Sequence, residues 1–203
     1  MVICEKKQKK VEPGSPDSHE EGDAWVYASI KRNTYFWLSY SLGKWTQETC
    51  REMIELMYHR LELPFPSNKL EIYTDGNDDY TYVFPEYYAN TCIIYGQLIK
   101  IKKGGRLVKK IKRPIFGDPR LEDIETTEIE NMNGIMRERL GRLVRKTKCF
   151  SKDIQMQWCA LQLFQFHWNF MNRFRRGATP AMLEGLADAP WTWENFLTTH
   201  YAV

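Results

Sequence analysis

Along the chain the apolar positions first gather in two aromatic and β-branched runs, AWVYASI (24–30) and, after the polar turn KRNT, YFWLSYSL (35–42). Both read as strands, the second too apolar throughout for an open surface, so the pair is expected to lie antiparallel inside a covered sheet. The period then lengthens. Cys50, Met53, Ile54, Met57 and Leu61 recur at helical spacing behind Thr46, a candidate N-cap, and Pro64 and Pro66 stop the predicted helix. KLEIYT reads as a short strand, ending in the turn-forming run DGNDD that presents Asp75. Residues 77–90 predict a helix or helical turn, and YGQLIKIKK a further strand. The Gly- and Pro-punctuated GGRLVKKIKRPIFGDPR is expected as a hairpin or extended loop outside the core. Ile129, Met132, Met136, Leu140 and Leu143 mark a helix with one buried stripe, and Glu130, Asn133 and Arg137 fall on an adjoining face. From Lys152 to Arg176 the chain is apolar on nearly every side, as in a helix packed on several neighbours, ended by Gly177 and Pro180. The tail ATPAMLEGLADAPWTWENFL adds one more short helix and an aromatic anchor. Strand, helix and strand in alternation predict an α/β protein with a partly parallel sheet.

Composition supports one core. The chain has 203 residues, of which 43% are apolar, with 7 Trp, 11 Tyr and 10 Phe. One folded domain over 22–203 is expected behind a polar, flexible leader, 1–21, that contains Pro13, Gly14 and Pro16. No window approaches about eighteen uncharged apolar residues, and MVICEKKQKK lacks a secretory apolar stretch, so a cytoplasmic chain without a membrane partner is expected. The 5 cysteines are an odd number without a C-x-x-C pair, which points to free thiols rather than disulfides or zinc. His19, His59, His167 and His200 share no spacing and are not read as ligands.

A net charge of +3 decides little, but its distribution is uneven. Lys100, Lys102, Lys103, Arg106, Lys109, Lys110, Lys112 and Arg113 crowd one stretch, and Arg137, Arg139, Arg142, Arg145, Lys146 and Lys148 another. Acids cluster apart from them, at 20–23, 75–79 and 122–130. Basic surfaces flanking a carboxylate-lined site would suit a phosphate-bearing polymer.

Phosphodiester cleavage needs a basic attacking oxygen and a stabilised leaving oxygen, and two divalent cations roughly 3.5–4 Å apart serve both. Such ions take hard oxygen ligands, so a few carboxylates converging from separate elements suffice. Asp75 closes an apolar strand and precedes a glycine. Glu130 begins an amphipathic helix. Asp23 sits at the mouth of the first strand with the parity of Trp25 and Tyr27. Each has a plainer competing role, since an acid after a strand also forms turns and a Glu near a helix start also complements the helix dipole.

EIYTDGNDDY followed by IENMNGIMRERLGRLVRKTKCFSKD resembles DDE transposases of prokaryotic insertion elements, closest to the insertion sequence one family. In that family a T-D-G after a strand supplies the second acid. A helix E-x-x-N followed by R-x-x-L-x-R-L-x-R-[KR]-[ST]-x-x-F-S-K supplies the third. Glu130, Asn133, Arg137, Leu140, Arg142, Leu143, Arg145, Lys146, Thr147, Phe150, Ser151 and Lys152 match the second pattern. GDAWVYASIKRNTYFWLSY and TPAML are similar to the family's first strand pair and tail. The resemblance spans about 22–200 and implies an RNase H-like fold, a mixed central sheet flanked by helices. It implies Mg²⁺ or Mn²⁺ held by Asp23, Asp75 and Glu130, nicking at element ends and transfer of the freed 3′-OH to target DNA. Asn133 would orient Glu130 or a phosphate, while Arg137, Arg142, Arg145, Lys146, Lys148, Lys109 and Lys110 would contact double-stranded DNA.

Two departures stand out. The family reads D-E-x-W where this chain has D-A-W, with Gly22 at the expected position and Glu20 or Glu21 as alternatives to Asp23. The second and third acids are 130 − 75 = 55 positions apart, so 98–125 looks like a basic insertion. The family's zinc ribbon and helix-turn-helix find no counterpart before Gly22, so either a separate subunit supplies recognition or the chain is a fragment that binds DNA without sequence preference. A homodimer or higher synaptic oligomer at the nucleoid is expected too. Two rival readings stay open: an inactive DNA-binding or regulatory transposase fragment, and an RNase H-type nuclease.

Overall fold

A computed structural model describes residues 2–4, 22–143, 151 and 153–199. The fold is mixed α/β. In chain order its strands are β1 (Val2–Cys4), β2 (Gly22–Ile30), β3 (Trp37–Gly43), β4 (Leu70–Asp75), β5 (Ile93–Lys103) and β6 (Arg106–Phe116). The helices are α1 (Gln47–Arg60), α2 (Asp79–Tyr87), α3 (Thr127–Arg139), α4 (Ile154–Phe166), α5 (Pro180–Leu183) and α6 (Trp193–Thr198). One sheet has the order β1-β2-β3 and the other β4-β5-β6. The chain divides into two compact units. The first comprises Met1–Ala24, Ala28–Leu38 and Ile135–Val203, and the second Trp25–Tyr27 and Ser39–Gly134. No helix among the described residues is long and apolar enough to cross a membrane.

In the second unit, Thr46 caps α1 as its sequence suggests, accepting from the Thr49 N–H at 3.4 Å. Cys50, Met53, Ile54 and Met57 are buried. Burial pushes the Cys50 thiol up to about 12, which keeps it protonated, as befits a small apolar packing group. Ser39 of β3 donates to the Met53 carbonyl at 2.9 Å, tying strand to helix. β4 and β5 run parallel, with α2 as the crossover between them, and β6 returns antiparallel to β5. The register alternates the faces. Ile72, Thr74, Tyr95 and Gln97 lie on one side, where Phe84 of α2 packs on Tyr95 at 5.2 Å and Gln97 donates to Thr81 at 3.2 Å. Tyr73, Asp75, Gly96, Leu98 and Lys100 lie on the other. There Gly96 lets Ile124 reach the sheet, since a Cβ at 96 would stand 2.7 Å from the Ile124 side chain.

In the first unit a set of neutral hydrogen bonds surrounds Trp37, and Lys31 pairs with Glu184 at 2.5 Å. The Asn169 side chain accepts from the Trp37 N–H at 2.8 Å and donates to the Trp37 carbonyl at 3.0 Å; Gln165 adds a second donor to that carbonyl at 2.9 Å. The Trp168 indole N–H reaches the Tyr35 carbonyl at 2.9 Å. Phe166, Phe170, Trp191 and Phe196 form the aromatic anchor of the tail, with Phe166 and Phe196 centroids 4.6 Å apart.

Several expectations need correction. Within the proposed leader, Val2–Cys4 forms a strand that pairs antiparallel with Gly22–Ala24. The remainder of that proposed leader, residue 1 and 5–21, lies outside the described residues. The helix expected from Lys152 to Arg176 ends at Phe166 and passes into a π-helical turn, His167–Met171, which aims Asn169 inward and closes with Asn172 donating to the His167 carbonyl at 2.8 Å. Nor is it covered all round, because Met156, Trp158 and Leu163 are 51%, 44% and 48% exposed. The α3 stripe breaks at Gly141 into a short 3₁₀ turn, Gly141–Leu143, although Met132, Met136 and Leu143 are all buried. The tail holds two short helices, α5 and α6, where one was expected. Of the two forms open to 104–120, the chain takes the hairpin.

Candidate active site

Asp75 is the last residue of β4, paired in register with Leu98 of β5. Alternation along β5 therefore puts Asp75 and Lys100 on the same side of the sheet. Glu130 stands in the first turn of α3, where its carboxylate accepts from Lys100 Nζ and from the Thr126 hydroxyl through the same oxygen, Oε1. Strand end and helix start are thus brought to one face through Lys100. On Asp75, Oδ1 accepts from the Asn77 N–H at 3.3 Å. Among the described residues no donor meets Asp75 Oδ2 or Glu130 Oε2.

The two acids differ electrostatically. Burial raises the Asp75 carboxyl above its ordinary value and the Glu130 charge adds to the rise, against the opposing Asn77 N–H and Lys100 ammonium. Asp75 nevertheless keeps an accessible side chain, so we read this as crowding with partial hydration rather than sequestration. At Glu130 partial burial also acts upward, but the hydrogen bonds from Lys100 and Thr126 and the charges of Lys100 and Lys110 outweigh it and hold the carboxyl below its usual range. The rise at Asp75 comes first from burial and least from the Glu130 charge, and a carboxyl raised beside a second acid is compatible with a cation site.

Beside this pair, Asn77 Nδ2 donates to Asp79 at 3.1 Å and to the Tyr27 hydroxyl at 3.3 Å, and Tyr27 donates to Asp79 at 3.2 Å. Asn77 Oδ1 accepts from the Asp79 N–H at 3.2 Å. This network fixes the turn after Asp75 and the entry to α2.

The other predicted residues are placed as follows. Asp23 belongs to the first unit, opposite Ile3 of β1. Asn133 makes no hydrogen bond to Glu130; Lys100 and Thr126 orient that carboxylate instead. Arg137 is exposed on α3. Arg142 donates to Ser151 at 3.2 Å, and Asp153 caps α4 through the N–H groups of Gln155 and Met156 at 2.7 and 3.1 Å. Two motif positions, Arg142 and Ser151, therefore hold a connection together. Lys109 is exposed, and Lys110 lies 4.0 Å from Glu125, which Lys112 approaches more closely at 2.7 Å. Arg145, Lys146 and Lys148 lie outside the described residues.

Lys100 and Thr126 were not singled out for this site in sequence. Lys100 was visible only as one of a basic run, and its role depends on the β4–β5 register. Thr126, four residues before Glu130, does carry a local signal, the spacing of neighbouring helical turns. Among the described residues no group of three or more His, Cys, Asp or Glu side chains is arranged to hold a metal ion. The donor set of the Asp75–Glu130 pair still suits a hard divalent cation, which needs only one or two carboxylates when water and a phosphate complete its shell. The chain matches no protein-family model, no curated protein and no solved structure at a significant level.

Proposed function

We propose that this chain is the catalytic core of a Mg²⁺- or Mn²⁺-dependent DNA transposase with an RNase H-like fold. The observation that supports the reading is the Asp75–Lys100–Glu130 face: two acids from separate elements, on one side of a sheet, each with an oxygen that accepts from no donor among the described residues. The family-like motif around Glu130 supplies the reaction class, and Asp23 is offered as first acid on sequence grounds alone. A divalent cation bound by Asp75 and Glu130 would supply Lewis acidity toward a phosphate oxygen and make a bound water more acidic. The chain's own groups then have separate tasks. Lys100 and Thr126 keep Glu130 ionised and held in one place. The Asn77–Asp79–Tyr27 network holds the turn that presents Asp75. Arg137, exposed on α3, is offered as a DNA-backbone contact on the motif alone.

Nicking of element-end duplex DNA with Mn²⁺ tests this. Asp75→Asn and Glu130→Gln are each expected to abolish nicking and strand joining with an unchanged circular dichroism spectrum. Full activity in either variant would overturn the assignment. A second reading, a DNA-binding fragment without catalysis, is favoured by the lysine that already neutralises Glu130; it predicts DNA affinity without any Mn²⁺ site.

A further inference from the structure

The β5–β6 hairpin extends beyond the sheet that roots it. β4 pairs with β5 only as far as Leu98, while β5 and β6 continue together to the turn at Gly104 and Gly105. Five further residues of β5, at about 3.3 Å each, carry the tip roughly 17 Å past the last residue of β4. The turn is tight: both glycines have positive φ, 58° and 78°, as a two-residue hairpin requires.

The register sorts the side chains of this ribbon. One face carries Leu98, Lys100, Lys102, Leu107, Lys110 and Lys112, and here Lys100 meets Glu130 while Lys110 and Lys112 meet Glu125. The opposite face carries Lys103, Arg106, Lys109 and Arg113, with Ile101 and Ile111 between them. All six are exposed, and none of the four cations has an acidic partner among the described residues. No Asp or Glu occurs from Ile93 to Gly117. A protein partner would ordinarily be met by charges of both signs; an unbroken row of cations suits a uniformly anionic polymer.

We propose that this outer face is an arm for double-stranded DNA, laid in the major groove with Lys103, Arg106, Lys109 and Arg113 on the flanking phosphates. Two strands about 4.8 Å apart make a ribbon that the roughly 12 Å major groove admits. The proposal rests on the DNA-processing reading above but names a different surface from the acid pair. It moves DNA contact from Lys110, which Glu125 engages, to the four cations of the other face.

The test measures binding of the full chain to a labelled 30-base-pair duplex across a KCl series in EDTA. The wild type is compared with the variant Lys103→Gln, Arg106→Gln, Lys109→Gln, Arg113→Gln and with Lys102→Gln from the inner face. The fourfold variant is expected to lower the slope of log K against log salt by about 3 to 4 and affinity at 0.1 M salt by at least about 100-fold. Lys102→Gln should change the slope by at most about 1. Guanine N7 in the major groove should be protected from dimethyl sulfate. A slope within one unit of wild type in the fourfold variant, protection confined to adenine N3 in the minor groove, or equal affinity for single strands overturns the arm. Mn²⁺ binding on the same proteins separates the two readings. A fourfold variant that binds Mn²⁺ normally while losing DNA supports the arm and spares the acid pair; a wild type that binds DNA through the arm without Mn²⁺ sinks the acid pair alone.

Discussion

Two regions, the clasp around Trp37 in the first unit and the Asp75 face of the sheet in the second, are held by different physics. In the first, Asn169 clasps both backbone groups of Trp37, the Trp168 indole is satisfied by Tyr35, and rings fill the remaining space. In the second, the side of the sheet that bears Asp75 is lined by ions: Lys100, Lys110 and Lys112 against Glu125 and Glu130. Buried neutral hydrogen bonds and apolar contacts give large stability increments because their loss leaves cavities or orphaned donors. Half-hydrated ion pairs give little net stability. They do concentrate field, so the ion-lined face around Asp75 contributes less to stability than the clasp around Trp37.

That contrast can be broken in order of expected size. Trp168→Ala removes a side chain 1% exposed and should cost about 3–5 kcal/mol in urea denaturation. Asn169→Ala leaves the Trp37 N–H without its acceptor and should cost about 2–3 kcal/mol. Substitutions at the acid pair should stay within about 1 kcal/mol, since water screens both groups, yet differ in sign. Asp75 has a raised carboxyl, so its favourable contribution is present at acidic pH and is lost as pH rises through the raised value; Asp75→Asn should therefore raise Tm at pH 7. Glu130 has a lowered carboxyl, so its contribution is present at neutral pH and disappears as pH falls through the lowered value. Glu130→Gln should lower Tm at pH 7 and be neutral once both acids are protonated. Shifts of the same sign in thermal melts at pH 7 would contradict the electrostatic description.

Local signals were the legible ones. Thr46 announced α1, Asp75 closed the strand it was read to close, and the Met132–Met136 stripe marked α3, because capping, turn chemistry and periodicity act within a few residues. Lys100 became a partner of Glu130 only through the pairing of β4 with β5, and that pairing is a long-range choice. The π-helical turn that aims Asn169 leaves no periodic trace in an already apolar run. The same run says little about burial: it fits a helix packed on several neighbours, yet Met156, Trp158 and Leu163 are exposed, because exposure depends on which neighbours arrive. Val2–Cys4 was hidden by the polar residues that follow it. The acid pair was therefore readable as two candidates, and the geometry that relates them was not.

Mn²⁺ binding by electron paramagnetic resonance, at low salt and without DNA, tests the central claim most directly. Saturable binding by the wild type, weakened at least about tenfold in both Asp75→Asn and Glu130→Gln, is the predicted result. A wild type that binds no Mn²⁺, or variants that bind it as the wild type does, would contradict a shared cation site at Asp75 and Glu130.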